Sequence, residues 1–116
     1  TGPFTIEAWI KASGSDDYLA IVDKYTGSAS ISNGYSFYLN LGKVRLSLYA
    51  GTSSCDVMGT TDLRDDDWHY VAAVYDGSGA HVYVDGNPEN TNPSGLAPGS
   101  TVANLGIGKR IGLTFL

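Results

Sequence analysis

The stretch WHYVAAVYDG (Trp68–Gly77), followed by VYVDG (Val82–Gly86), decides the fold of this chain. Alternation predicts that Trp68 points to one side of its strand together with Tyr70, Ala72 and Val74, and that the valines of the second stretch face the same core. The intervening Asp-Gly-Ser-Gly is typical of a tight turn, so the two stretches form an antiparallel hairpin. In this register, a slip by one residue would turn the indole out to water.

The same period-two alternation recurs on both sides of this hairpin, and no segment keeps the 3.6-residue apolar period of a helix for long. Asn40-Leu41-Gly42 is suited to a tight turn that joins two of the predicted strands. Many short strands separated by turns indicate an all-β, antiparallel β-sandwich. The further predicted strands are Phe4–Lys11, Tyr18–Lys24, Tyr35–Leu39, Val44–Tyr49, a short one near Val57 and Leu105–Lys109, and the predicted loops are 25–34 and 87–100.

Composition narrows the classes of partner. The net charge is −5, which repels phosphate, so nucleic acid is not an expected partner. No apolar run reaches the length of a membrane span, and no signal peptide opens the sequence. A single cysteine, Cys55, excludes an intrachain disulfide and is expected to be a structural thiol.

The hairpin at residues 68–86, the opening FTIEAWIK (Phe4–Lys11), GYSFYL (34–39) and LGIG (105–108) occur in an order that resembles the laminin-G-like jelly-roll domains of the concanavalin A-like lectin/glucanase superfamily. The resemblance implies a jelly-roll β-sandwich that comprises residues 1–116 as one domain. It also implies a binding module located extracellularly, in the periplasm or at the cell surface, as part of a secreted protein.

Domains of this family have further terminal strands, in place of which this chain has the apolar residues 111–116. A sandwich that lacks terminal strands exposes strand edges, which invite pairing. We therefore expect those strands to come from flanking sequence in a longer protein or from self-association as a homo-oligomer.

The sequence offers no convincing set of catalytic residues, and the chain is predicted not to be an enzyme. Glycoside hydrolysis needs two carboxylates across the scissile bond. The two glutamates, Glu7 and Glu89, lie far apart in sequence, and no strand carries alternating carboxylates. His69 and His81 fall on neighbouring strands, where both are expected to face outward without a third metal ligand.

Calcium is the cofactor that the acidic loops bring into consideration, because it prefers several carboxylate and carbonyl oxygens. The resemblance implies such a site at the sandwich edge, although the family's usual metal aspartates belong to strands that are missing here. Solvated loop charge is the alternative for these residues. The candidate ligands are Asp16, Asp17, Asp62 and Asp65.

Carbohydrate is the ligand that the hairpin over residues 35–49 favours. Alternation sends its apolar residues to the core and leaves tyrosines, an amide and a guanidinium on the outer face. Pyranose rings stack on aromatic rings while the polar groups bond the hydroxyls. The alternative is that tyrosine is simply well suited to a half-exposed strand. The candidate binding residues are Tyr38, Asn40, Arg45 and Tyr49.

The sequence thus predicts a non-catalytic binding module whose ligand is carbohydrate. Two alternatives remain open at this point, a protein–protein or adhesion module and a structural accessory domain of a larger secreted protein.

Overall fold

The computed structural model describes residues 2–28 and 30–108, and these residues contain nine β-strands and no helix. Consequently, none of them forms a helix that could cross a membrane. The strands are β1 (Phe4–Lys11), β2 (Tyr18–Gly27), β3 (Ser32–Asn40), β4 (Lys43–Gly51), β5 (Ser53–Met58), β6 (Trp68–Tyr75), β7 (Ala80–Val84), β8 (Asn87–Asn92) and β9 (Gly106–Ile107).

The strands form two antiparallel sheets that pack face to face, which confirms the predicted all-β sandwich. One sheet has four strands in the order β1-β6-β7-β8, and the other has five in the order β5-β4-β3-β2-β9. The pairings of β3 with β4 and of β6 with β7 are the two hairpins that the sequence indicated. The weak alternation near Val57 also corresponds to a strand, β5.

The core lies between the inner faces of the two sheets. The five-stranded sheet contributes the residues predicted for the inner side of the β3–β4 hairpin, and all of them are fully buried. Leu63, from the loop between the sheets, is buried with them. The inner residues of the hairpin are Phe37, Leu39, Val44, Leu46 and Leu48.

Strand β6 has the opposite orientation from the one predicted. Its core residues are Val71, Ala73 and Tyr75, whereas the side chain of Trp68 points to the outer face and leaves the residue 63% exposed. Both faces of this strand carry apolar residues, so the alternation indicates a strand without indicating which face is buried.

Two segments predicted as loops are partly strand. Residues 25–34 extend β2 to Gly27 and begin β3 at Ser32, and β8 occupies the start of the segment 87–100. Side chains of β8 also join the two sheets at this edge, because the amides of Asn90 and Asn92 donate to the carbonyls of Met58 (3.0 Å) and Asp56 (2.8 Å).

The opposite edge is formed by β1 and β9. Among the described residues β1 pairs only with β6, and β9 is a two-residue strand that pairs with β2. The predicted final strand, Leu105–Lys109, is therefore shorter than expected within the described range, and its last residue and the segment 111–116 lie outside that range.

Candidate functional site

The outer face of the five-stranded sheet brings together the tyrosine and arginine side chains predicted for ligand binding. In the β3–β4 hairpin Tyr38 lies opposite Arg45, and the guanidinium carbon lies 5.9 Å from the centre of the phenol ring. Tyr49 lies on the same face, two rows further along the hairpin, and Asn40 lies one row away in the other direction. The predicted set thus shares one surface.

A row of small polar residues crosses this surface. The register aligns Asp23, Ser36, Ser47 and Asp56 on four adjacent strands. The first three are buried even though they lie on the outer face, and Ser36 donates a hydrogen bond to Asp23. Because these side chains are shorter than the rings and the guanidinium around them, the row forms a polar floor beneath the larger groups, and the hydroxyl of Tyr38 lies 3.4 Å from that of Ser47.

Arg45 is fixed beside this floor by an ion pair. Its guanidinium donates to Asp56 at 2.6 Å. Burial acts to lower the pKa of Arg45, but the hydrogen bond to Asp56 and the neighbouring phenol of Tyr38 outweigh it, so the pKa lies above its ordinary value. The site therefore has a guanidinium cation, carboxylate acceptors and hydroxyl acceptors next to an aromatic ring.

The sequence prediction missed Tyr25, which completes the surface on the other side of the floor. Its ring lies 4.7 Å from that of Tyr49, tilted by 56°. The polar composition of residues 25–34 predicts a loop at this residue, although its position two residues after Asp23 continues the alternation of β2. We call the surface formed by Tyr25, Tyr38, Asn40, Arg45 and Tyr49 the tyrosine face.

Two of the four candidate calcium ligands meet at an arginine. Arg64 forms ion pairs with Asp17 and, at 2.8 Å, with Asp62. The hydrogen bond from Arg64 lowers the pKa of Asp62 to about 2, and the aspartates in turn raise the pKa of the arginine. These two carboxylates are neutralised by a side-chain cation in this arrangement.

The other two candidates bind elsewhere. Asp16 accepts a hydrogen bond from the amide of Ser13 at 2.8 Å, and Asp65 lies 2.9 Å from the Nε2 atom of His69. Within residues 2–28 and 30–108, no group of three or more histidine, cysteine or acidic side chains is arranged to hold a metal ion. Calcium binding remains a prediction.

The sequence predicted that His69 and His81 both face outward, but only His81 does. His69 lies on the side of β6 that carries the core residues, and its Nδ1 and Nε2 atoms lie 2.8 Å from Asp85 and 2.9 Å from Asp65. His81 lies on the outer face and contacts Asp76 at 2.7 Å. Each histidine thus has a local carboxylate partner, and the two do not form a pair.

The outer face of the four-stranded sheet is the second aromatic surface. Trp9 and Trp68 are 66% and 63% exposed. The ring of Tyr70 lies 5.5 Å from that of Trp9, and its hydroxyl donates to Glu7. This hydrogen bond raises the pKa of the phenol. We call the surface formed by Glu7, Trp9, Lys11, Trp68 and Tyr70 the tryptophan face.

Comparison with known proteins identifies the architecture. Residues 1–114 match a family model of laminin G type, described as the concanavalin A-like lectin/glucanases superfamily. None of the curated protein sequences shows a significant match.

Three solved structures are similar to this chain. Domains LG4-5 of the mouse laminin alpha1 chain superpose with a TM-score of 0.69 at 18% identity, over 97% of this chain and 32% of that one. The binding domain of botulinum neurotoxin serotype D superposes with a TM-score of 0.67 at 14% identity, over 96% of this chain and 29% of that one. Botulinum neurotoxin type C depends upon interaction with two ganglioside molecules to enter cells. It superposes with a TM-score of 0.59 at 14% identity, over 90% of this chain and 29% of that one.

The chain therefore spans about a third of the length of these solved chains. At such low identity the superpositions show a shared fold. The jelly-roll arrangement expected from the sequence is confirmed by the laminin domains.

Proposed function

Because this chain belongs to the concanavalin A-like lectin/glucanases superfamily, we propose that it is a non-catalytic binding module that recognises carbohydrate on its tyrosine face. Its place would be outside the cell, at the cell surface or in the periplasm, as part of a secreted protein. The observation that carries the proposal is the grouping of Tyr38, Tyr49 and the ion-paired Arg45 on one outer face, around the polar floor.

This arrangement suits the two chemistries of a sugar. A pyranose ring has apolar C–H faces that stack on aromatic rings, and hydroxyls around its rim that donate and accept hydrogen bonds. Tyr38 and Tyr49 supply rings on opposite sides of the floor. Arg45 and Asp56 supply a donor and an acceptor, held in place by their ion pair.

Fold relatives support carbohydrate as the ligand class. Botulinum neurotoxin type C interacts with gangliosides, which are lipids that carry sugar headgroups. The shared fold alone does not determine function. The argument therefore depends on the side chains of the tyrosine face, with the relative as additional support.

A non-catalytic role is supported by the surroundings of the two glutamates. Glu89 accepts hydrogen bonds from the amides of Thr60 and Thr61, both at 2.9 Å. Burial acts to raise its pKa, but these amides outweigh it, and the pKa lies below its ordinary value. A glycosidase general acid needs a raised pKa. Glu7 lies on β1, at the other edge of the same four-stranded sheet, where it accepts a hydrogen bond from Tyr70.

A glycan array with wild-type protein, Tyr38→Ala and Tyr49→Ala tests the proposal. We expect a defined set of glycans to bind the wild type and to lose about fivefold or more in affinity in each variant, since a stacked ring contributes about 1 kcal/mol. Tyr38→Phe keeps the ring and should retain most of the binding.

The matched control is Tyr83→Ala, which removes a half-buried tyrosine from the outer face of the other sheet. Melting curves verify that each variant is folded. If no glycan bound, protein recognition would be the better hypothesis. If glycans bound but binding were unchanged in both tyrosine variants, the tyrosine face would not be the sugar site.

A further inference from the structure

We propose that the tryptophan face is a second binding site, which takes the flat side of a neutral pyranose chain. This inference goes beyond the tyrosine face and does not depend on a ligand there. The two surfaces lie on different sheets of the sandwich.

The exposure of two indoles on one small surface is the first observation. Burial of a large apolar side chain stabilises a protein, and the fold forgoes most of this gain at Trp9 and Trp68. The pairing of Trp9 with Tyr70 and of Lys11 with Trp68 makes the tryptophans diagonal neighbours on adjacent strands. Diagonal neighbours lie about 7–8 Å apart, so the two indoles are close enough for one extended ligand to contact both.

Polar groups at the border of this surface provide the hydrogen-bonding partners that a sugar site needs beside its aromatic rings. Glu7 lies on the same face of β1 as Trp9 and accepts the hydroxyl of Tyr70, which fixes both groups. Lys11 lies opposite Trp68 at the end of the strand pair. An acceptor and a donor therefore flank the rings, where they can bond the rim hydroxyls of a stacked pyranose.

The size of the surface favours a sugar over a protein. A tryptophan side chain presents at most about 250 Å², so the two indoles expose roughly 300 Å² together. A stable protein interface buries about 800 Å² on each partner. A pair of stacked sugar rings needs much less. The carboxylate of Glu7 and the net charge of −5 also disfavour an anionic glycan.

The chain offers a selective probe of this site, because it contains only two tryptophans and both belong to the tryptophan face. Indole emission therefore reports on this face and not on the tyrosine face. The experiment titrates the protein with cellohexaose, xylohexaose and mannohexaose, and with a heparin-derived hexasaccharide as the anionic comparison, while the emission spectrum is recorded.

We expect at least one neutral hexasaccharide to shift the emission to shorter wavelength in a saturable manner. Trp9→Ala and Trp68→Ala, measured by calorimetry, should each weaken its binding by about fivefold or more. The matched control is Val102→Ala, which removes a fully exposed apolar side chain outside both faces and should bind as the wild type does.

Three outcomes would overturn the inference. The first is no emission change with any neutral hexasaccharide, and the second is a stronger response to the heparin fragment. The third is an emission shift of Trp68 when the Trp9→Ala protein alone is concentrated, which would show that a second copy covers the face, because strand pairing at the β1 edge would extend the sheet and leave its outer face open. Binding lost in Tyr38→Ala but kept in both tryptophan variants would support the tyrosine face and refute this site.

Discussion

His69 shows how much a single side chain contributes at the end of the central hairpin. Its two ring nitrogens contact Asp85 and Asp65, and both can donate only when the imidazole is protonated. Asp85 also accepts the amide of Tyr70 at 3.0 Å. The histidine therefore links the acidic loop before β6 to the turn after β7.

The pH dependence of stability follows from these contacts. The hydrogen bond to Asp85 raises the pKa of His69 above 6.5, so its stabilisation is complete below pH 6.5 and is lost as the pH rises through the raised value. His69 also lowers the pKa of Asp65 and Asp85 below 3.8. Their contribution is present above pH 3.8 and is lost as the pH falls through the lowered values.

We expect His69→Gln to lower the free energy of unfolding by about 1 kcal/mol near pH 5–6, since solvent screens this partly exposed cluster. The difference from the wild type should shrink above the raised pKa of the histidine. Urea denaturation at a series of pH values measures it. A difference in unfolding free energy that stayed constant up to pH 9 would contradict stabilisation by the protonated histidine.

Arg64 determines whether Asp17 and Asp62 can take a cation. To bind calcium, these carboxylates must exchange the guanidinium for the ion. We therefore expect Arg64→Gln to increase the rise in melting temperature that calcium produces, compared with the wild type. An equal calcium response of the two proteins, including none in either, would exclude this pair as a calcium site.

Among the elements, the β2–β3 pair depends on one glycine. Gly34 has a φ of 109°, and a Cβ atom there would lie 2.0 Å from the carbonyl oxygen of Lys24. Gly51 has a φ of 67° but open space around it. We expect Gly34→Ala to cost about 3 kcal/mol or more and Gly51→Ala about 1 kcal/mol, as measured by chemical denaturation. Equal losses of unfolding free energy in the two variants would mean that the clash of a Cβ atom with the Lys24 carbonyl adds nothing.

The orientation of β6 can be tested by comparing an inward aromatic residue with an outward one. Tyr75→Ala should destabilise the fold by about 3 kcal/mol because it empties part of the core, whereas the exposed Trp68→Ala should cost about 0.5 kcal/mol. Thermal and urea melts compare the two variants. The reverse ranking would support the inward tryptophan that alternation alone suggested.

The limits of the sequence prediction can be understood from the same strands. The faces of β3 and β4 could be predicted because apolar residues occupy one side only, and this placed Tyr38 and Arg45 correctly on the same outer face. Strand β6 is apolar on both sides, so its inward face depends on pairing with β1 and β7. The polar segment β8 is specified by its pairing with β7 and by amide contacts to β5, and no local pattern encodes these.

At the scale of the whole molecule, the two edges of the sandwich differ. Side chains of β8 bond the carbonyls of β5 and join the sheets on one side. On the other side β1 is eight residues long and, within the described part of the chain, has one strand partner. An unpaired edge of this length is a template for another strand.

We therefore expect the isolated chain to self-associate through β1. Light scattering over a range of protein concentrations should give an average mass that rises above 12.2 kDa. A flanking sequence that supplies a strand beside β1 should return the mass to that of a monomer. A constant monomeric mass for the isolated chain up to millimolar concentration would contradict the expectation.

The placement of the tyrosine and tryptophan faces on different sheets also limits how the module can act. The two surfaces have the core between them and point in opposite directions. A single flat glycan surface can touch only one of them, so the second contact cannot add avidity to the first. With both faces occupied, the chain would cross-link two separate glycans and behave as a bridge between polymers.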